Sequence, residues 1–286
     1  MSDFFASLFG RQVTLASLDV IDDNVSSSAP AFERADGIVV SLPKSGRTWL
    51  RYLINQYYHL LEGWDITMQW DAVIGETLPK VIFTHDRWEH YQRVKSLSSK
   101  EYLQGCYLIP KGIRQARKLL LLVRDPRDVV VSYFFHLSKR EMRQDIPESI
   151  AGLARHPRLG LPAMVHRLNA WYREWGCNEN LKLVRYEDFH EDCESQFASV
   201  LRFLGIVEID RGRLRESVRR SSFANMQSAE SSNRYGITFS VVDSEDPDSR
   251  KVRRGKVGGY RDYFKEEDLR FAEGALRDLH PVFGYS

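Results

Sequence analysis

The stretch that most constrains the fold is Gly37-Ile38-Val39-Val40-Ser41-Leu42, a short apolar run that stops at Pro43 and gives way within a few residues to a helical pattern. A continuous apolar run is what a strand covered on both faces needs. Beyond the break, Trp49, Leu50, Leu53, Ile54, Tyr57, Leu60 and Leu61 recur at the spacing that lines one side of a helix over residues 47–61. Strand, tight loop and helix make half of a βαβ unit. The order repeats with Val81-Ile82-Phe83-Thr84, then with Lys118-Leu119-Leu120-Leu121-Leu122-Val123 before a helix over 126–139, then with Leu181-Lys182-Leu183-Val184 before a helix over 191–204. A further helix over 162–175 carries Met164, Val165, Leu168, Trp171, Tyr172 and Trp175, an aromatic stripe that reads as core. Alternating strands and helices predict a three-layer α/β sandwich around a central parallel sheet.

The chain has 286 residues without an internal composition shift, so one domain is expected over 1–286, with 1–36 as an N-terminal extension. Residues 140–161 and 228–249 are polar and poor in large apolar side chains, and the stretch 228–252 reads as a mobile lid. A net charge of +2 is too small for nucleic-acid wrapping, so any cations that matter must cluster in a pocket. Cys106, Cys177 and Cys193 are odd in number and lack histidines at metal-ligand spacing, which predicts reduced thiols and no metal. The first ten residues have neither the basic start nor the long apolar run of a signal peptide or span, so the expected location is cytoplasmic. Phe4, Phe5, Leu8 and Phe9 are expected to pack on the core, a short membrane-surface helix being the other reading.

Lys44-Ser45-Gly46-Arg47-Thr48 lies where unpaired backbone N–H groups and the helix dipole favour an anion. Gly46 permits close backbone approach, Lys44 adds a cation, and Ser45 and Thr48 add hydroxyl donors. An ordinary capped turn has the same local form, so the loop alone predicts only a phosphate-type ligand. A nucleoside-triphosphate P-loop would place its Lys after the last Gly, whereas Lys44 precedes Gly46 and Arg47 follows it. The apolar run 119–123 ends in Arg124, where such enzymes carry an Asp that helps hold Mg²⁺. A sulfuryl group carries less charge than a phosphoryl group and can be handled by Lys, Arg and backbone donors.

With these residues the chain resembles the family of PAPS-dependent sulfotransferases, whose donor is 3′-phosphoadenylyl sulfate (PAPS) and whose fold is P-loop-like. The segment from Pro43 to Trp49 resembles the family's 5′-phosphosulfate loop, which implies donor contacts from Lys44, Ser45, Gly46, Arg47, Thr48 and Trp49. Arg124-Asp-Pro-Arg-Asp-Val-Val-Val-Ser132 is similar to its 3′-phosphate segment, which assigns Arg124 and Ser132 to that phosphate. Tyr186-Glu187-Asp188 resembles the strand-end motif beside the nucleotide, and Ser221-Ser222-Phe223 with Met226 resembles the segment on adenine. Arg253-Arg254-Gly255, followed by Gly258-Gly259-Tyr260, resembles the element that closes over the 3′-phosphate. The matches keep family order from residue 41 to residue 264. Arg47 where animal cytosolic members carry Thr, Gly259-Tyr260 in place of Asp-Trp, and no dimer motif in 263–279 set the chain nearer to bacterial members. They leave a monomer or a homodimer of another kind.

Val81-Ile82-Phe83-Thr84-His85 resembles the family strand that ends on the catalytic base, and a neutral imidazole suits removal of a hydroxyl proton near neutral pH. The resemblance therefore implies His85 as base and Lys44 as stabiliser of the leaving phosphate, with 3′-phosphoadenosine 5′-phosphate (PAP) as product and no metal. Glu76 or Asp86 are the carboxylates that stand next in line; His90, His136 and His166 have no comparable support. Residues 63–79, those around Trp88, and 140–161 are expected on the acceptor side, where Trp64, Trp70 and Trp88 could stack on a ring. Arg140, Arg143, Arg155 and Arg158 hint at an anionic acceptor, with a small alcohol or phenol, a lipid or a glycan all in range. The rival readings are a P-loop small-molecule kinase and a catalytically inactive adenine-nucleotide-binding module.

Overall fold

The computed structural model describes residues 31–66, 68, 72–86, 88, 108–236 and 239–285. The readings made for Phe4, Phe5, Leu8, Phe9, Trp70, His90 and Cys106 lie outside the described residues. Five strands, β1 (Gly37–Ser41), β2 (Ala72–Val73), β3 (Val81–Thr84), β4 (Lys118–Val123) and β5 (Leu181–Arg185), form one sheet in the order β2-β3-β1-β4-β5. β3, β1, β4 and β5 are parallel, with Val40 opposite Thr84, Ser41 opposite Leu122 and Val123 opposite Arg185. The sheet is nonetheless mixed: β2 runs antiparallel on the β3 edge, pairing Ala72 with Ile82 and Val73 with Val81. Two residues are too short for an alternation pattern, which is why the sequence read 63–79 as connection.

Both faces of the sheet are covered, as the unbroken apolar runs require. Ile38, Val40, Leu119, Leu121 and Val123 point to one side, where they join Val129 to Val131 of α3 (Pro126–Phe135) and Met164, Leu168 and Trp171 of α5 (Leu161–Trp175). Val39, Val81, Phe83, Leu120 and Leu122 point to the other, against Leu50, Leu53, Ile54 and Tyr57 of α1 (Arg47–Glu62) and Phe197 and Leu201 of α7 (Cys193–Leu204). The period of two along each strand thus divides the core into two layers.

The remaining helices are α2 (Lys111–Ala116), α4 (Ile150–Arg155), α6 (Tyr186–Glu191), α8 (Arg211–Arg220), α9 (Phe223–Ser231) and α10 (Glu266–Leu276). Several of these went unread because they span fewer than two turns. α4 lies inside the stretch expected to be irregular, where Ser149 accepts from the Gly152 N–H as its N-cap. α9 likewise occupies the start of the expected lid, which also holds a short 3₁₀ turn at Pro247–Ser249. α3 starts where Asp125 caps it and Pro126 takes the first turn, but it changes at His136 into a π-helical turn, His136–Arg140. Among the described residues no helix is long and apolar enough to cross a membrane.

Candidate active site

The carboxyl ends of the parallel strands share one edge, and β1 leads into α1 on one face of the sheet while its neighbour β4 leads into α3 on the other, the arrangement that opens a crevice in doubly wound sheets. After β1 the backbone takes left-handed values at Lys44 (φ 70°) and Gly46 (φ 97°). A Cβ on Gly46 would lie 2.5 Å from Cδ2 of Tyr186, so the loop sits against that ring with no room to spare. No side chain caps the start of α1, which leaves its first-turn N–H groups to other acceptors. Trp49 fixes the far side, donating from Nε1 to the Ser221 carbonyl at 3.0 Å and meeting Tyr186 edge-on at 5.6 Å.

A cavity of about 230 Å³ opens over this loop. Its wall includes Lys44, Gly46, Arg47, Thr48 and Trp49 from the loop, and His85, Arg124, Ser132 and Tyr186 from the neighbouring strand ends and α3. Ser221, Phe223, Arg253, Arg254 and Gly255 close it from the C-terminal half. Of the side chains expected at the site only Ser45 is not in the wall; it is buried. The hydroxyls of Ser45 and Ser221 and Nε of Arg124 are buried without a hydrogen-bond partner among the described residues. Such atoms are normally satisfied, and a polar ligand in the cavity would offer partners to Ser221 and Arg124, which line it.

Arg124 ties the parts together. It donates to the Lys44 carbonyl at 3.3 Å and to the Lys256 carbonyl at 2.9 Å, and its guanidinium lies 4.3 Å from the Tyr186 ring centre. It also pairs with Asp128 at 3.5 Å, four residues on in α3. Asp128 in turn accepts from the Gly258 and Tyr260 N–H groups at 2.8 and 2.9 Å, which brings the basic segment 253–256 against α3. Within that segment Arg253 is held by Asp248 and by the Tyr263 hydroxyl, and Arg254 by Asp262. Phe223, 41 % exposed, packs on Gly255 so closely that a Cβ there would come within 2.7 Å of its ring. An aromatic face open to a cavity suits a flat heterocycle.

His85 follows β3, and its Nδ1 lies 2.8 Å from the Ser41 carbonyl. A carbonyl only accepts, so Nδ1 carries the proton and Nε2 is the basic nitrogen of the neutral ring. Burial, then the Arg47 cation, hold the His85 pKa well below the usual imidazole range. Lys44 is pulled down to about 7, chiefly by burial and then by the Lys251 and Arg140 cations, with Glu230 opposing. The ring therefore stays neutral at physiological pH, while Lys44 sits near its titration midpoint.

The two substitute carboxylates are not placed to act. Glu76 is exposed and outside the cavity wall. Asp86 is fully buried and engaged by Arg167 at 3.0 Å, by Nε1 of Trp171 at 2.7 Å and by the Leu108 N–H at 2.6 Å. Arg167 is fully buried too, and it also donates to the Asp86 carbonyl. Asp86→Ala would strand that cation in the core, so urea unfolding is expected to lose about 3–5 kcal/mol; a loss below about 1 kcal/mol would contradict the pairing. Trp88, expected on the acceptor side, is instead core, with Nε1 donating to the Tyr133 hydroxyl at 3.3 Å. The arginines that hinted at an anionic acceptor are outside the cavity wall. Arg140 serves Glu230 and the Ser249 carbonyl, Arg143 pairs with Asp145, and Arg155 pairs with Asp268.

Sequence reasoning missed Asp128, His136 and Lys251, all in the cavity wall. His136 had a readable signal: it is four residues after Ser132, hence on the same helix face. Lys251 sits in the basic run 250–254, which by itself reads as a solvated face.

Comparison with known proteins agrees with this geometry. The sequence profile of the sulfotransferase domain matches residues 34–279. Cytosolic sulfotransferase 12 of Arabidopsis thaliana is 24 % identical over 247 residues, covering 81 % of this chain and 73 % of its own. Sulfotransferase 1E1 of Bos taurus is 26 % identical over 237 residues, covering 80 % and 78 %. Among solved structures, mouse sulfotransferase SULT7A1 complexed with PAP superposes with a TM-score of 0.58 at 20 % identity, covering 86 % of this chain and 84 % of that one. Retinol dehydratase in complex with retinol and PAP gives 0.61 at 18 % identity, covering 90 % and 85 %. With the domain profile spanning nearly the whole chain and the strand-end cavity assembled as described, this protein belongs to the sulfotransferase family.

Proposed function

We propose that the cavity binds 3′-phosphoadenylyl sulfate and that His85 and Lys44 carry out sulfuryl transfer to an acceptor hydroxyl. The observation that carries this reading is the convergence of Lys44, His85 and Arg124 on one cavity from three separate strand ends. When bound, the donor supplies a sulfuryl group whose bond to the 5′-phosphate oxygen breaks as the acceptor oxygen bonds to sulfur, the acceptor proton passing to His85 and PAP leaving.

The chain's own groups divide the work. The uncapped start of α1 with Ser45, Gly46, Arg47 and Thr48 receives the 5′-phosphate side, where several N–H donors and the helix dipole act together. Arg124, Ser132, Arg253, Arg254 and Gly255 receive the 3′-phosphate, and Phe223, Trp49, Tyr186 and Ser221 flank the adenine. His85 takes the proton on Nε2, the Ser41 carbonyl fixing its tautomer. Lys44 donates to the phosphate oxygen on which charge grows.

Binding should carry a proton signature. With its pKa near 7, Lys44 is mostly neutral at pH 8 before the donor arrives. The bound phosphates favour the ammonium and raise that pKa, so PAP binding is expected to take up protons at pH 8 and fewer at pH 6, where Lys44 is already charged. Calorimetry in two buffers of different ionisation enthalpy reads this directly. PAP binding with no proton uptake at pH 8 would contradict the role given to Lys44, and no PAP binding would defeat the donor assignment.

A further inference from the structure

Beyond the donor cradle the cavity reaches His85, and Lys251 and His136 line its wall. Burial holds the His136 pKa below the usual imidazole range, so Lys251 supplies the charge and His136 a ring that an anion would protonate. Lys251 is presented by a built support. Glu230, fully buried on α9, accepts from the backbone N–H groups of Lys251 at 2.5 Å and Val252 at 2.9 Å. Arg140 pairs with Glu230 at 3.6 Å and donates to the Ser249 carbonyl at 2.7 Å, so the backbone of 249–252 is pinned from two sides. His136 stands one turn beyond Ser132 with its ring stacked on Tyr133 and Nε2 3.0 Å from a Glu141 carboxylate oxygen. Its Nδ1 is buried with no hydrogen-bond partner among the described residues.

These groups act on the reacting pair. Lys251 depresses the pKa of both Lys44 and His85, and Arg47 and His136 also depress that of His85. Glu230 offsets part of this positive charge at Lys44 and Glu141 pairs with His136, and an anionic ligand beside Lys251 would offset more of it. The donor's own anions are assigned elsewhere, to the α1 start with Lys44 and to Arg124 with the 253–255 segment.

Resting on the sulfotransferase reading, we infer that the acceptor is an anionic hydroxyl compound whose carboxylate or phosphate is bound by Lys251 and His136 while its hydroxyl faces His85. An oxyanion beside His136 stabilises the doubly protonated ring, which donates Nε2–H to Glu141 and Nδ1–H to the ligand.

The test uses the full chain saturated with PAP, whose own affinity is measured first. Three hydroxyl compounds of one scaffold are then titrated by calorimetry: p-cresol, 4-hydroxyphenylacetate and 4-hydroxybenzylphosphonate. At least one anionic member is expected to bind about ten- to a hundredfold more tightly than p-cresol, the worth of one or two charge-assisted contacts. Which anion wins distinguishes a carboxylate from a phosphate acceptor. Lys251→Met and His136→Phe should each remove most of that preference and change PAP affinity by less than about threefold, a difference well under that of one such contact. Equal or tighter binding of p-cresol, no binding of either anion, or a preference that survives both variants would overturn the inference while leaving the donor assignment standing. Absence of PAP binding would instead defeat the donor assignment, and this inference with it.

Discussion

Replacing His85 with Asn is expected to lower kcat for sulfuryl transfer by about 10²- to 10⁴-fold, the range that one positioned general base contributes. Asn retains an N–H that can reach the Ser41 carbonyl, so the contact between the ends of β3 and β1 should hold and PAP should bind as it does to the parent protein. The loss would then lie in the chemical step. The wild-type pH profile carries a matching sign. Because burial and the Arg47 cation hold the His85 pKa well below 6.5, the ring stays neutral, and able to accept a proton, further into acid than an ordinary histidine. The acidic limb of kcat/KM is therefore expected below pH 6.5 and should vanish in His85→Asn. Near-normal turnover in the variant would remove His85 from the mechanism, and the placement of Asp86 and Glu76 leaves neither as a ready substitute.

Lys44→Met is expected to lower kcat by about 10²- to 10³-fold, the usual cost of removing one donor aimed at a growing charge. It should also abolish the proton uptake that accompanies PAP binding at pH 8. Lys44→Arg separates charge from titration: arginine is charged throughout the working range, so proton uptake disappears even where binding is kept. Its planar fork differs from a compact ammonium, so only partial recovery of kcat is expected. Wild-type proton uptake persisting in Lys44→Met would move that proton to another group, with His136, His190 and Lys251 among the titratable groups in the cavity wall.

Much of this site could be read from the sequence because its parts obey short-range rules. The β1–loop–α1 segment carries its own signature, an apolar run, a break, a glycine and a helical stripe, and each feature reports a local physical demand. Lys44, His85, Arg124 and Tyr186 were legible together because each follows a recognisable strand, and parallel strands bring their carboxyl ends to one edge. What stayed hidden depends on tertiary contact. Asp128 acts by accepting from backbone N–H groups about 130 residues away, which no local pattern encodes. Lys251 looks like surface charge until Glu230 is seen holding its backbone. Trp88 and the arginines of 140–158 misled for the converse reason: residue types common in binding sites are as useful for packing and pairing, and the structure uses Trp88, Arg143 and Arg155 that way. β2, at two residues, carries no period to detect.

The central claim is that the cavity is built for a 3′-phosphorylated adenine nucleotide, and calorimetric titration of PAP against ATP with Mg²⁺, on the same protein, tests it most directly. PAP is expected to bind with EDTA present and at least about tenfold more tightly than ATP with Mg²⁺, since the proposed function gives Arg124 and the 253–255 segment to a phosphate that ATP lacks. Tighter binding of ATP with Mg²⁺, or PAP binding that requires the metal, would contradict the account.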